Sequence, residues 1–348
     1  MRWKQRPQGS NWGDFGADDQ LGRLNLLTPE RVRRAALEIR EGRTFCLSIP
    51  LDYPGGNQLN VRRFAPALKP TFRDGKPFVN FPIERLDARN TDIISDDAVL
   101  MFLQYSTQID SFAHVGAWFD ADGDGVDEKV YYNGYRGDID ICGPKRYDAL
   151  DAGGAEHDCG EHGGARELGI EHFAVQGMQG RGVMVNLRAH CGDARVGVGY
   201  EQLMRILEAD KVEVEEGDIL LFYTGFSDLI MGMNKQPDMQ VLDHACACLD
   251  GRDEKLLQWI TDSGTAAIFA DNYAVEQYPA RPMEGRRPAL PLHQHCLFKL
   301  GVPLGEIFWL KELADWLRAN QRYRCFLTAP PLRLPGAVGS PATPIATV

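Results

Sequence analysis

The sequence predicts an α/β fold. Strands and helices alternate through the second half of the chain, and no internal repeat or low-complexity linker divides it. Its 44% hydrophobic and 25% charged residues are those of an ordinary globular protein. A chain of 348 residues can bury a substantial core, and residues 1–348 read as one domain with an extended N-terminal loop region and a C-terminal tail.

Taken in order, residues 11–27 are loop-like and rich in Gly and Asp. A helix follows, because Thr28 can cap it, Pro29 suits its first position, Glu30 complements its dipole, and Val32, Ala35, Ala36 and Ile39 recur at helical spacing. Residues 45–49 read as a strand. Residues 54–82 form a long excursion with little periodicity, of the kind that serves as a lid or an oligomer arm. Residues 182–187 are an apolar strand, preceded by glycines (Gly177, Gly180) that do not fit the dinucleotide fingerprint. Residues 200–209 then read as a helix, 218–224 as a buried strand, 254–262 as an amphipathic helix and 265–270 as a strand. Residues 307–320 are again helical and 322–328 a strand. The tail over 330–341 is extended, and too apolar to be simply disordered.

Charge and composition narrow the partners. A net charge of -11 argues against nucleic acid and anionic membrane surfaces, so a small-molecule substrate is expected. No apolar run follows Arg2, Lys4 and Arg6, and no stretch approaches the roughly 20 apolar residues of a membrane span, which points to a cytoplasmic protein. Eight cysteines are scattered without a disulfide-scaffold spacing and read as reduced, mostly buried thiols. Cys246 and Cys248, one residue apart, read as packing.

The chemistry concentrates in residues 104–114, which follow the apolar run from Val99 to Leu103. Read as a strand, Gln104, Ser106, Gln108 and Asp110 share one face while Leu103, Tyr105, Thr107 and Ile109 share the other. A helix would group Gln104 with Gln108 and send Asp110 away from both. Four oxygen or nitrogen donors then leave one strand towards the same side, with His114 arriving after a short turn. The set is either a metal cradle, for which a strand stepping about 6.6 Å per two residues must bend, or a solvated strand face ending in a loop histidine.

Two other clusters carry donors. Asp120, Asp122 and Asp124 begin like a calcium loop, but the twelfth position is Tyr131 and no clear helices flank it, so a surface turn is the better reading and adventitious calcium the other. Glu156, His157, Asp158, Cys159, Glu161 and His162 lie in a glycine-rich stretch without a second matched ligand pair, which favours a solvated loop over a zinc site.

The order of residues in the 104–114 stretch resembles the signature of the cyclase family of metal-dependent hydrolases, which includes bacterial kynurenine formamidase and isatin hydrolase: His-x-Gly-Thr-His-x-Asp-x-Pro-x-His. Thr107, Asp110 and His114 match it. Gln104 and Gln108 stand at the two histidines, Ser106 at the glycine and Phe112 at the proline. Short segments similar to the family's longer bacterial branch continue along nearly the whole chain: residues 19–22 and 25–30, 180–183, 217–221, 270–272 with Val275 and Glu276, and 332–341.

The resemblance implies a swivelling β/β/α fold, with a mixed sheet or half-barrel core flanked by helices, and at least a homodimer. It implies a site holding a divalent metal ion through Gln104, Gln108, Asp110, His293 and Glu306. His295 competes with His293; its other reading is a helix-face residue packing near Leu297 and Leu300. Glu306 would otherwise be an exposed acid just before a helix. Two glutamines in place of two imidazoles shift the donor set towards oxygen, which suits Mn²⁺ or Mg²⁺ better than a tight Zn²⁺ site, with one ion or two. The implied reaction is hydrolysis of an amide, formamide or lactam C–N bond, with His114 as general base that later protonates the leaving nitrogen. No Gly-x-Ser-x-Gly elbow supports a serine route. The other class left open is a family member that binds a carboxylate-bearing small molecule without hydrolysing it.

Overall fold

The computed structural model describes residues 2–142 and 164–348. The cluster from Glu156 to His162 therefore lies outside the described residues. The strands of the central sheet are, in chain order, β1 (Thr44–Cys46), β2 (Gln108–Asp110), β3 (Gln179–Asn186), β4 (Ile219–Tyr223), β5 (Ala267–Ala270), β6 (Leu304–Glu306), β7 (Arg324–Thr328), β8 (Gly339–Pro341) and β9 (Ile345–Thr347). They hydrogen-bond in the order β1-β9-β7-β3-β4-β5-β6-β2-β8. The sheet is mixed, curls as a half-barrel and is flanked by helices.

The sheet's centre follows from its sequence. Strands β3, β4, β5 and β6 run parallel, and Ile-Leu-Leu-Phe-Tyr in β4 and Ala-Ile-Phe-Ala in β5 are buried on both faces, as parallel strands covered by helices must be. The remaining pairings of this sheet are antiparallel. The apolar tail supplies β8 at one edge and β9 near the other, so it closes the sheet instead of trailing from it.

The helices match their sequence signals closely. The first spans Pro29–Ala35, with the Thr28 hydroxyl accepting from Arg31 N, but only Ala35 is buried and Ile39 stays exposed. Others span Tyr200–Ala209, Glu254–Ser263 and Lys311–Ala319. The last begins four residues later than its periodicity predicts, because the backbone N–H groups of Ile307, Phe308 and Trp309 donate to the carbonyls of Asn272, Ala270 and Leu47.

Two expectations change. The predicted continuous strand over 104–110 is a turn up to Ser106, and only Gln108–Asp110 pairs in the sheet. Phe112, where the resembled pattern has proline, is fully buried and packs with ring centroids 5.0 Å from Tyr132 and 4.8 Å from Phe173. The excursion after Pro54 folds into short antiparallel ribbons outside the main sheet, pairing Ala67–Pro70 with Asp97–Leu100 and Phe81–Pro82 with Ile93–Ile94. Val61, Leu68, Phe72, Ile93 and Val99 remain exposed along it.

Among the described residues no helix is long and apolar enough to cross a membrane. The described cysteines are unpaired, and Cys246 and Cys248 are buried.

Candidate functional site

Antiparallel pairing of β2 with β6 creates the site. Glu306 lies directly across from Gln108, and Asp110 is two residues further along, so the three side chains share one face of the sheet. Gln108 Nε2 donates to Glu306 Oε2 at 3.2 Å. Glu306 is 4% exposed, so it is not the exposed acid that its position before a helix had allowed.

His293 ends the short helix Pro291–His293, which continues as a π-helix over Gln294–Leu300. Extra-wide turns of this kind recur where a helix must aim a functional side chain. Its Nε2 lies 3.2 Å from Glu306 Oε1 and 4.0 Å from Asp110 Oδ2. Its Nδ1 lies 2.8 Å from Glu276 Oε1. Glu276 also accepts from the backbone N–H groups of Leu292 and His293, both at 2.9 Å, so one carboxylate caps the helix start and orients the ring. Gly251 leaves it the room: a Cβ there would sit 2.2 Å from Glu276 Oε2.

Sequence reasoning did not place Glu276 in the site. Its partners are brought to it by tertiary contact, and its signal in the sequence was its place, with Val275, in one of the short segments similar to the family, which assigns it no role. Backbone strain was equally invisible: Val275 (φ 56°) and Ile307 (φ 56°), both β-branched, are held in the left-handed region next to the two glutamates. Thr107 helps to hold Ile307, donating to its carbonyl at 2.6 Å.

His114 and Gln104 complete the arrangement. Gln104 Nε2 lies 2.5 Å from Asp110 Oδ1 and 2.9 Å from His114 Nδ1, and His114 Nε2 lies 4.0 Å from Asp110 Oδ1. The turn thus brings Gln104 to Asp110 although no strand connects them. His114 keeps about a fifth of its side chain exposed and sits against Gln104, which lines the cleft between the turn and the Pro54–Arg63 segment. Asn60, Arg63, Tyr105 and Tyr273 line that cleft, and Arg63 donates to the Gln104 carbonyl.

Electrostatics set the site's needs. Asp110, Glu276 and Glu306 are buried around one imidazole. Burial opposes charge on His293, but hydrogen bonds to Glu276 and Glu306 outweigh it and push its pKa up to about 10. Burial likewise raises Glu306, and the His293 bond more than offsets this, holding it below the usual carboxylate value. Burial pushes His114 down. Even with His293 charged, three carboxylates face one buried cation, and burying uncompensated charge is costly.

The geometry fits a cation. Ligand atoms of Asp110, His293 and Glu306 lie within 4.8 Å of one another. Two buried acceptors beside them, Asp110 Oδ2 and Gln108 Oε1, have no hydrogen-bond partner. The oxygen-rich set suits a hard or borderline divalent ion. Gln104 differs from the others, because it turns its amide nitrogen towards Asp110. His295 is elsewhere, with Nε2 2.9 Å from Thr261 Oγ1. Asp120, Asp122 and Asp124 also lie together, but their oxygens accept backbone N–H groups of their own turn.

The sequence model of the Cyclase family matches residues 46–277. A solved structure described as a novel cyclase is 30% identical, the match covering 97% of this chain and 97% of that one, with a TM-score of 0.72. Isatin hydrolase A from Labrenzia aggregata, bound to benzyl benzoate, is 11% identical over 87% of this chain and 93% of its own, with a TM-score of 0.54. An isatin hydrolase bound to the product analogue thioisatinate is 12% identical over 93% and 98%, with a TM-score of 0.53. At these identities the two isatin hydrolases share the fold. None of the curated proteins matches the chain significantly.

Proposed function

Because the chain belongs to the Cyclase family, we propose that it is a metal-dependent hydrolase that cleaves an amide, formamide or lactam C–N bond of a small molecule. The observation that carries this reading is the pair of partnerless buried acceptors, Asp110 Oδ2 and Gln108 Oε1, beside His293 and Glu306. Isatin hydrolases among proteins of this fold point to the same bond class.

Asp110, His293 and Glu306 are the residues that would hold a divalent ion, Mn²⁺, Zn²⁺ or Mg²⁺, with Gln108 offering its amide oxygen. When bound, such an ion supplies a Lewis acid for a substrate carbonyl and for water. Glu276 fixes the His293 ring through Nδ1, so that Nε2 is the atom aimed at Asp110 and Glu306. His114 is the partly exposed titratable group beside Gln104 and Asp110, and in this reading it exchanges protons with substrate. Tyr105 accepts from Gly55 N and donates to Gly56 O, each at 2.9 Å, tying the Pro54–Arg63 segment across the cleft and limiting water.

A second reading has its own observation. Arg63 lines the cleft half-buried and has no carboxylate within ion-pair distance among the described residues, which favours binding of a carboxylate-bearing small molecule with or without hydrolysis. Elemental analysis, with turnover assays on a panel of N-formyl, lactam and cyclic-imide compounds, separates the two. Protein without stoichiometric metal, on which Asp110→Ala changes no turnover, would sink the hydrolase.

A further inference from the structure

Gln104 occupies the position of the family pattern's first histidine, yet its surroundings are built for an amide. Arg63 holds its backbone carbonyl. Gly339, paired with Asp110 across β8 and β2, gives the side chain space: a Cβ at 339 would lie 2.8 Å from Gln104 Cγ, 2.9 Å from Cδ and 3.0 Å from Nε2. Gly339 is not among the residues with positive φ, so what it supplies is room and not a special backbone shape.

The amide's orientation sets the donor and acceptor arithmetic. The atom of Gln104 that faces Asp110 Oδ1, at 2.5 Å, is Nε2, and an amide nitrogen only donates. That nitrogen has a second N–H, and its other neighbour, at 2.9 Å, is His114 Nδ1. Nδ1 must therefore accept. A neutral imidazole whose Nδ1 accepts carries its proton on Nε2.

We propose that Gln104 is a positioning residue which, by donating to Nδ1, fixes His114 as the neutral tautomer with its proton on Nε2. The consequence reaches the proposed reaction, on which only this step rests. While the Gln104 bond stands, neither ring nitrogen is free to take a proton, so His114 meets a substrate oxygen as a hydrogen-bond donor. Service as a base requires Gln104 to release Nδ1 first. A histidine at 104 could not act in this way towards both neighbours at once, since a neutral imidazole has a single N–H.

The test reads the tautomer directly. Protein with isotopically labelled histidine nitrogens is studied by two-bond proton–nitrogen correlation, after chelation and again with Mg²⁺, and His114→Gln identifies the resonances. The wild type is expected to show a protonated Nε2 and an unprotonated Nδ1. Gln104→Met cannot donate, so both nitrogens should shift towards the average of the two tautomers. Gly339→Ala leaves both functional groups present but removes the amide's space, and should move them in the same direction by less. A wild-type proton on Nδ1, or an unchanged pattern in both variants, overturns the proposal. The readout needs neither turnover nor a bound ion, so it can fail while the hydrolase reading stands, and the reverse.

Discussion

The two halves of the site are finished to different degrees. In the C-terminal half both ring nitrogens of His293 have carboxylate partners, and Glu276 accepts three N–H groups at 2.8 to 2.9 Å. In the N-terminal half Asp110 Oδ2 and Gln108 Oε1 are buried with nothing to bond. A buried acceptor without a partner forfeits about 1–3 kcal/mol, and two of them side by side next to His293 and Glu306 are what a bound ion would repay. The difference teaches where each kind of stability comes from: the C-terminal half is a preassembled support, and the N-terminal half is the part a ligand completes.

The sharpest way to break this contrast is to remove the waiting acceptor. Asp110→Ala should lose stoichiometric metal by elemental analysis and lower turnover by more than about 100-fold, since even residues that merely orient ligands cost 10- to 100-fold. His114→Ala should lower turnover by about 10²- to 10⁴-fold while metal content stays near that of the wild type. Loss of metal in the His114 variant would place that ring among the ligands and blur the division of labour.

Next in size is damage to the preassembled half. Glu276→Gln puts an NH₂ group against N–H donors that the carboxylate now accepts, and leaves His293 with one carboxylate fewer. Breaking a buried charged network from one side costs about 3–5 kcal/mol, to be read as a drop in the urea midpoint at constant slope. Asp110→Asn in chelated protein is the counterpart. It removes a buried charge with an unused oxygen, so it should be at least as stable as chelated wild type. A large loss there would show that Asp110 is already satisfied.

How much of this was legible in the sequence follows the same division. The sheet's centre could be read because Ile219–Tyr223 and Ala267–Ala270 are uninterrupted apolar runs, and the first helix because Thr28 and Pro29 announce it. Strand β6 could not, since Leu-Gly-Glu has no period of its own and pairs only through partners far along the chain. Alternation at 104–110 overstated the strand, because polar residues every second position also suit a turn. Asp110 and His114 were found by their order in a motif, and His293 and Glu306 by the resemblance. Glu276 was not, because its role lies in a helix start that the fold brings to it.

Metal removal tests whether a ligand does complete the N-terminal half. An ion that binds only folded protein stabilises it by about 2.7 kcal/mol at a hundredfold excess over its Kd. Chelation should lower the Tm of the wild type by a corresponding amount and leave Asp110→Ala unchanged. Equal shifts in both proteins would mean that the ion acts elsewhere, with the Asp120–Asp124 turn as the first place to look.

The smallest effect separates two histidines only two residues apart. His293 sits among carboxylates, while His295 sits beside Thr261 and burial lowers its pKa to about 4. A histidine whose folded pKa is depressed binds its proton more readily unfolded, so its stabilising contribution is present above the unfolded value near 6.5 and is lost as pH falls towards 4. Between pH 7 and pH 5 that loss comes to about 2 kcal/mol. His295→Gln should flatten the fall of the urea midpoint over this window without altering metal content. If metal is lost as well, the π-helix over Gln294–Leu300 transmits packing at His295 to the aim of His293, and the support is less rigid than its hydrogen bonds imply.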